Sequence, residues 1–301
     1  MQIVILSRGA YLYSTQSLIN ACYRRGHRVR ILDHMHCDLI IGPKWYVNHL
    51  GDEITQVDAL IPRIGASVTR EGAAVIRHFE LMGACTTVRA DALLRARDKL
   101  IALQLLAAQG LPVPRTWAIH SVDQLPFAVK ALGGWPLIVK LIESTHGLGV
   151  IRVENMQMLR AIVESFRATA QPFLLQEYIE EAHGTDYRAL VVGQQVVAAM
   201  RRQAALGEFR SNLHLGGTGH SVALKPEEKK LATRAAQILG TSVAGVDLVH
   251  SNRGPLIMEV NASPGLEGIE QVTQVDIAGA IIHWLEEQVR KKRHTSDNRA
   301  T

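Results

Sequence analysis

The chain has 301 residues, is 47% hydrophobic and carries a formal net charge of +5, with an isoelectric point near 9.2. That length can bury a core spread over two or three domains. No apolar run approaches a membrane span, so a soluble, cytoplasmic protein is expected. The positive balance suits anionic small molecules, an acidic protein or nucleic acid, and decides between none of them. At the N-terminus, residues 2–7 read as a first strand rather than a signal peptide, because no basic region precedes the apolar residues. Strand patterns at 2–7, 28–33 and 59–64 alternate with helix patterns at 15–25 and 69–82, which Gly26 and Gly83 stop. The alternation predicts a small doubly wound α/β domain over 1–95. No GxGxxG follows its first strand, which argues against a dinucleotide site. Cys22, Cys37 and Cys85 form no CxxC and fit a reducing compartment. His34, His36 and Cys37 cluster without a second ligand pair, which argues against zinc.

A long helical stretch at 91–109 ends at Gly110, before Pro112 and Pro114. Residues 115–175 read strand, helix, strand, loop, strand, helix, and 96–175 is taken as a second unit. Lys140 is an isolated charge in a near-continuous apolar strand, and once buried it needs an anion, either a carboxylate or a phosphate. Lys99 by itself is ambiguous, since a solvated helix residue is the commoner case. The loop Glu143-Ser144-Thr145-His146-Gly147-Leu148-Gly149 has glycines that let backbone approach phosphate and hydroxyls that add donors. It lacks the Gly-Lys-Ser/Thr ending of a Walker A loop, and an ordinary hairpin turn also explains it.

From residue 173 the chain is strand-rich, at 173–179, 187–192 and 195–200, and a helix at 226–239 is capped by Gly240. Residues 176–290 make a third unit. Where Gln176-Glu177-Tyr178-Ile179 leaves its strand, exposed backbone groups could pair with an adenine edge, and Asp186 could accept from a ribose. Phe209-Arg210-Ser211-Asn212 places a cation and an amide in irregular structure just before Gly216-Gly217. Asp247 and the run Glu259-Val260-Asn261 lie on the two arms of a predicted hairpin with Asn252-Arg253-Gly254 as a three-residue loop. That loop pairs Ser251 with Pro255, Val249 with Ile257 and Asp247 with Glu259, so Glu259 and Asn261 share a face with Asp247 across from them. Three oxygen ligands without sulfur suit Mg²⁺ or Mn²⁺ bound together with phosphates, the rival being a charged strand face paired with lysines. After a final amphipathic helix at about 276–289, the basic residues 290–293 and Arg299 read as a solvated, disordered tail over 291–301, and direct nucleic-acid binding by it is not expected.

In order, these pieces resemble the ATP-grasp superfamily, and most closely its RimK branch of glutamate ligases that modify a small-subunit ribosomal protein. The strings that carry the likeness include Ile61-Pro62-Arg63-Ile64-Gly65, Ala96-Arg97-Asp98-Lys99, Gln176-Glu177-Tyr178-Ile179, Gly207-Glu208-Phe209-Arg210-Ser211-Asn212 and Glu259-Val260-Asn261-Ala262-Ser263-Pro264-Gly265. Two departures stand out: His146 where the pattern has Gln, and a weakly charged 200–206. The resemblance implies an ATP-grasp fold, two α+β subdomains clamping ATP, preceded by the small doubly wound α/β domain. It implies that Lys99 and Lys140 hold the ATP phosphates beneath a loop containing Thr145, Gly147 and Gly149. Glu177, Tyr178 and Ile179 would line the adenine pocket, Asp186 would face the ribose, and Arg210, Ser211 and Asn212 would contact phosphates. Asp247, Glu259 and Asn261 would bind two Mg²⁺ or Mn²⁺ ions. A homo-oligomer is a further implication.

The implied chemistry is ligation. A carboxylate attacks the γ-phosphoryl group to give an acyl phosphate and ADP, and an amine then displaces phosphate to leave an amide. Arg188 and Arg210 are the candidates for holding the transferring phosphoryl group and the oxyanion. No nucleophilic Ser or Cys is needed. L-Glutamate carries a second carboxylate and calls for another cation, with Arg63 and Arg202 as candidates; Ser263 and Gly265 could add backbone donors, although a tight turn is the plainer role. Three functions are compatible: a glutamate ligase acting on a protein C-terminus, the same chemistry on a small metabolite or free glutamate, and a nucleotide-binding regulator without turnover. All three metal-ligand positions are filled, which speaks against the regulator.

Overall fold

The structure, a computed structural model, describes residues 1–142 and 149–300, the last five of them as backbone alone. The chain opens with β1 (Gln2–Leu6), α1 (Tyr13–Arg24) and β2 (Arg28–Leu32), followed by three short strands, β3 (Cys37–Ile40), β4 (Tyr46–His49) and β5 (Asp52–Ile54). Next come β6 (Ala59–Pro62), α2 (Thr69–Leu81) and β7 (Cys85–Thr86). The parallel sheet runs β2-β1-β6-β7, as the strand and helix alternation requires. The antiparallel meander β3-β4-β5 is an addition to the expected elements. Its strands are too short to display a period, and its tightest turn uses Leu50 and Gly51 at positive φ (52° and 94°).

The predicted 91–109 helix is two helices, α3 (Ala90–Arg97) and α4 (Lys99–Ala108). They meet at Asp98, whose backbone is extended (φ −84°, ψ 105°) and whose carboxylate accepts from Ile101 N at 2.9 Å. An Asp that caps the following turn competes with helix continuation. The break sets Lys99 at the start of α4.

There follow β8 (Thr116–Ala118), α5 (Leu125–Leu132), β9 (Leu137–Leu141), β10 (Val150–Val153), α6 (Met156–Ala168) and β11 (Phe173–Glu177), with sheet order β10-β9-β11-β8. Leu125, Val129 and Leu132 of α5 and Leu159 and Val163 of α6 pack on Leu137, Val139 and Leu175. β11 is hydrogen-bonded between β9 and β8, so a division after residue 175 cuts a strand and this unit extends to Glu177.

The last unit holds β12 (Thr185–Val192), β13 (Gln195–Gln203), β14 (Thr218–Ser221), α7 (Pro226–Leu239), β15 (Val243–Ser251), β16 (Gly254–Asn261), α8 (Glu267–Thr273) and α9 (Ile277–Ala300). Its antiparallel sheet runs β14-β13-β12-β15-β16. Ala232, Ala235, Ala236 and Leu239 of α7 cover one face through Ala189, Val191, Ala244 and Val246. On the other face Leu190, Val192 and Met200 share a core with Ile277, Ile281 and Leu285 of α9 and with Ile3, Ile5, Leu18 and Ile61 of the first unit. α9 also corrects the expected disordered tail. It remains helical to Ala300, with Lys292 Nζ donating to Gly83 O and Arg293 Nη2 to Asp58 Oδ1 (2.7 Å). Among the described residues, no helix is long and apolar enough to cross a membrane.

Candidate functional site

The β15–β16 hairpin reaches the expected pairing by an unexpected route. Ser251 pairs with Gly254 across the two residues Asn252 and Arg253, so Val249 meets Leu256 and Leu248 meets Ile257. A bulge beside Leu248 then takes up Met258 and restores Asp247 opposite Glu259. Had the ladder run on without a bulge, Met258 would face Asp247 and period-two alternation would turn Glu259 and Asn261 to the far face. The loop is one residue shorter than the sequence suggested, and the bulge compensates.

Asp247 is buried and held by Arg188 (Nε to Oδ1 2.7 Å, Nη2 to Oδ2 2.6 Å) and by Arg202 Nη2 (3.0 Å). Arg202 also forks onto both oxygens of Asp186, its Nε to Oδ1 distance being 2.6 Å. Asp186, Arg202, Asp247 and Arg188 therefore alternate in charge and sum to zero. Burial pushes the Asp247 carboxyl up, but Arg188 and then Arg202 outweigh it and leave it below the usual carboxylate range.

In this network three of the expected site residues have partners within the protein. Arg188 holds Asp247 rather than standing free for a phosphoryl group. Arg202, 3% exposed, is shared by two carboxylates and has no fork left for a substrate. Both oxygens of Asp186 accept from Arg202. Arg210 forks onto Glu208 (Nε 3.1 Å, Nη2 2.7 Å), and this pairing holds the Glu208 carboxyl down at about 2. Ser211 is buried beside Asp186, and Asn212 precedes a single 3₁₀ turn.

Glu259 accepts from Asn261 Nδ2 at 2.7 Å and has no ion pair among the described residues. Across from it, burial pushes the Lys140 ammonium down to about 8; Lys99 adds to that, while Glu259 and Asp247 pull the other way. Lys140 on the small sheet thus feels the carboxylates of the large one. Lys99 Nζ donates to Ile142 O at 3.3 Å, just past the end of β9. A carboxylate without a cation of its own, next to an amide oxygen, is a donor set that fits a hard divalent ion, with Asp247 able to join on release from an arginine. No cluster of three His, Cys, Asp or Glu exists among the described residues, because the third donor here is an amide.

Thr145 and Gly147, with His146 between them, lie outside the described residues. Gly149 stands just before β10: its carbonyl accepts from Leu141 N (2.9 Å), its φ is +70°, and a Cβ there would meet Leu141 at 2.5 Å. Only glycine fits. Glu177 is buried, and its carboxylate accepts from Arg115 N (2.7 Å), Arg115 Nε (2.7 Å) and Arg253 Nη2. Its side chain is therefore a joint between the small sheet and the β15–β16 turn, which the sequence reading did not foresee. Tyr178 lies under the Arg152 guanidinium at 4.7 Å, and Ile179 is buried with Val249 and Leu256. Ser263 is half-buried and Gly265 exposed, with room around it for a side chain, and the segment is tied to α1 by Leu266 N donating to Ser14 Oγ at 2.9 Å.

Arg63 follows β6, and its N–H donates to Leu6 O at 2.8 Å. Burial, and then the neighbouring Arg97, push its guanidinium down to about 10. Arg97 was passed over in the sequence, although it stands beside the capping Asp98. It lines a recess with Lys99, Glu259 and Asn261.

Residues 96–285 match the family model described as a RimK-like ATP-grasp domain, and residues 1–93 match that of a RimK PreATP-grasp domain. Among curated relatives, a "Probable alpha-L-glutamate ligase" of Xanthomonas campestris pv. campestris (strain B100) is 52% identical over 291 residues, covering 96% of this chain and 100% of the relative. One from Cellvibrio japonicus (strain Ueda107), with the same description, is 49% identical over 294 residues, covering 96% and 97%. Among solved structures, the ATP-grasp ligase PsnB complexed with minimal precursor superposes with a TM-score of 0.76 at 22% identity, covering 95% of this chain and 98% of that one. A RimK domain protein ATP-grasp from Sphaerobacter thermophilus DSM 20745 gives 0.70 at 23%, covering 95% and 99%.

Proposed function

The chain belongs to the RimK-like ATP-grasp family, and from that premise we propose that it joins the α-amine of L-glutamate to a carboxylate while converting ATP to ADP and phosphate. The acceptor we propose is the C-terminus of a small-subunit ribosomal protein in the cytoplasm. PsnB, a ligase of like fold, was solved with a precursor peptide, which supports a peptide acceptor here.

The observation that carries the reading is the recess in which Lys99 stands with Glu259 and Asn261 of the large sheet, Lys99 also reaching Ile142 O just past the small-sheet strand that carries Lys140. Lys99 and Lys140 neutralise the terminal phosphates of ATP in the gap between the sheets. Glu259, Asn261 and Asp247 are the residues that would hold Mg²⁺, which we take to be two ions with Mn²⁺ as the substitute; when bound, they shield phosphate charge from an incoming carboxylate. An acceptor carboxylate oxygen bonds to the γ-phosphorus as the bond to the bridging β–γ oxygen breaks, giving an acyl phosphate and ADP. The glutamate amine then attacks the acyl carbon, loses a proton and expels phosphate. The chain's contribution is positioning and charge. Arg188 and Arg210 reach reacting atoms only on leaving Asp247 and Glu208, so we place them as positioning residues in this conformation.

Mass spectrometry after incubation with ATP, Mg²⁺, L-glutamate and a lysate tests this. Glutamyl additions to a protein C-terminus with ADP release support it. AMP release overturns the acyl-phosphate route, and additions found only on small molecules move the acceptor to a metabolite.

A further inference from the structure

Two guanidinium groups stand near each other with little counter-charge. Arg63 has no ion pair among the described residues, and Arg97 at the end of α3 has only the Glu259 carboxylate of its recess to offset it, without a direct ion pair. Arg97 Nη2 donates to Ile64 O at 2.5 Å, but its Nε is buried and unpartnered there. Desolvation and mutual repulsion both work against this arrangement, and an anion between the two groups would offset both.

The location is independent evidence for a ligand. In the order β2-β1-β6-β7 the chain leaves β1 for β2 on one side and returns to β6 on the other. The crevice at the carboxyl ends of β1 and β6 is therefore the topological switch point, where open α/β sheets bind ligands. Arg63 is the first residue beyond β6 and is tied to the last residue of β1. Arg97 brings that crevice to Glu259 and Asn261, whose recess it shares. Ala262, next after β16, packs in the same core as Leu6 and Ile64.

We infer that Arg63 and Arg97 form the subsite for the side-chain carboxylate of the incoming glutamate, an assignment that rests on the ligase reading above. The amine that attacks shares a carbon with the α-carboxylate, so that carboxylate stays beside the reacting acyl group. The side-chain carboxylate is separated from it by two methylenes and is the group able to reach the first domain. Arg202, the other candidate, is already occupied by Asp186 and Asp247.

Steady-state kinetics of the full-length enzyme with L-glutamate and its neutral isostere L-glutamine decide the matter. The wild type should favour glutamate by about tenfold to a hundredfold in kcat/KM, the size of one charged contact. Arg63→Gln and Arg97→Gln should bring that ratio towards one, mainly through KM for glutamate, with ATP affinity unchanged in the Arg63 variant. Arg63→Lys, which keeps the charge and loses the fork, should fall between and remains informative if a glutamine variant fails to fold. Discrimination retained in every folded variant overturns the inference. Equal losses with both amino acids would assign the pair to the α-carboxylate and overturn it too. A wild type that uses glutamine as well as glutamate overturns it alone, whereas one that turns over neither removes the ligase reading with it.

Discussion

At the scale of single residues, the site separates groups already satisfied from groups still waiting for a partner. Glu259 is in the second class, and Glu259→Ala should lower ADP formation about 100-fold or more, since groups merely supporting a metal ligand are already worth 10–100-fold. Near-normal turnover by the folded variant would remove Glu259 from the metal set. Lys140 carries a cost of burial instead. Its folded pKa lies below the unfolded one, so the charged form is disfavoured at neutral pH and that cost fades as pH rises past about 8. Lys140→Met should therefore keep or raise the melting temperature at pH 7 while weakening ATP binding about tenfold or more, the worth of a charged hydrogen bond. In the wild type, ATP affinity should fall as pH rises through about 8, and the variant should lack that limb; isothermal titration across the range reads both. The residue types at Asp247, Glu259, Asn261 and Lys140 could be read from the sequence, because charge within an apolar strand is conspicuous. The arginines' assignments could not, because which carboxylate a long cation selects is settled by tertiary packing.

At the scale of elements, the β15–β16 hairpin shows why a correct face can follow from an incorrect turn. Period-two alternation pointed to Asp247 opposite Glu259, and a bulge has no local sequence mark at Met258, so neither it nor the shorter turn was visible. Deleting Met258 should remove the bulge, join Ile257 directly to Glu259 and leave Glu259 and Asn261 on the face they already occupy, opposite Asp247. The expected outcome is a folded chain with native-like circular dichroism that keeps a Mg²⁺-dependent thermal shift; loss of that shift in the folded variant would show that the bulge itself, beyond the pairing it restores, sets the ligands. The same limit applied at Asp98, where helix periodicity ran straight through a cap. It applied again to β3, β4 and β5, which are too short for any period to appear.

At the scale of the whole molecule, α9 joins the first and last units, and its basic end is docked rather than loose. Arg293 is two-thirds exposed (65%), and a pair of that kind contributes about 0–1 kcal/mol. Truncation after Val289 should accordingly lower the melting temperature by a few degrees and leave glutamate-dependent ATP turnover unchanged. A loss confined to a protein acceptor would make the end of α9 a docking element. Loss of turnover with ATP and glutamate would show that α9 holds the first unit in place for catalysis.

That shared core also has a consequence in time. Ile3, Ile5, Leu18 and Ile61 are made well before their covering residues Ile277, Ile281 and Leu285. At ribosomal speeds of about 5–20 residues per second, the apolar side of the nascent first sheet waits roughly ten seconds to a minute for its lid. Its parallel strands can pair in that interval while one side stays wet and adhesive. The window closes only when α9 clears the exit tunnel, so synthesis of this chain passes through a long stage in which a holding chaperone has a defined surface to grip.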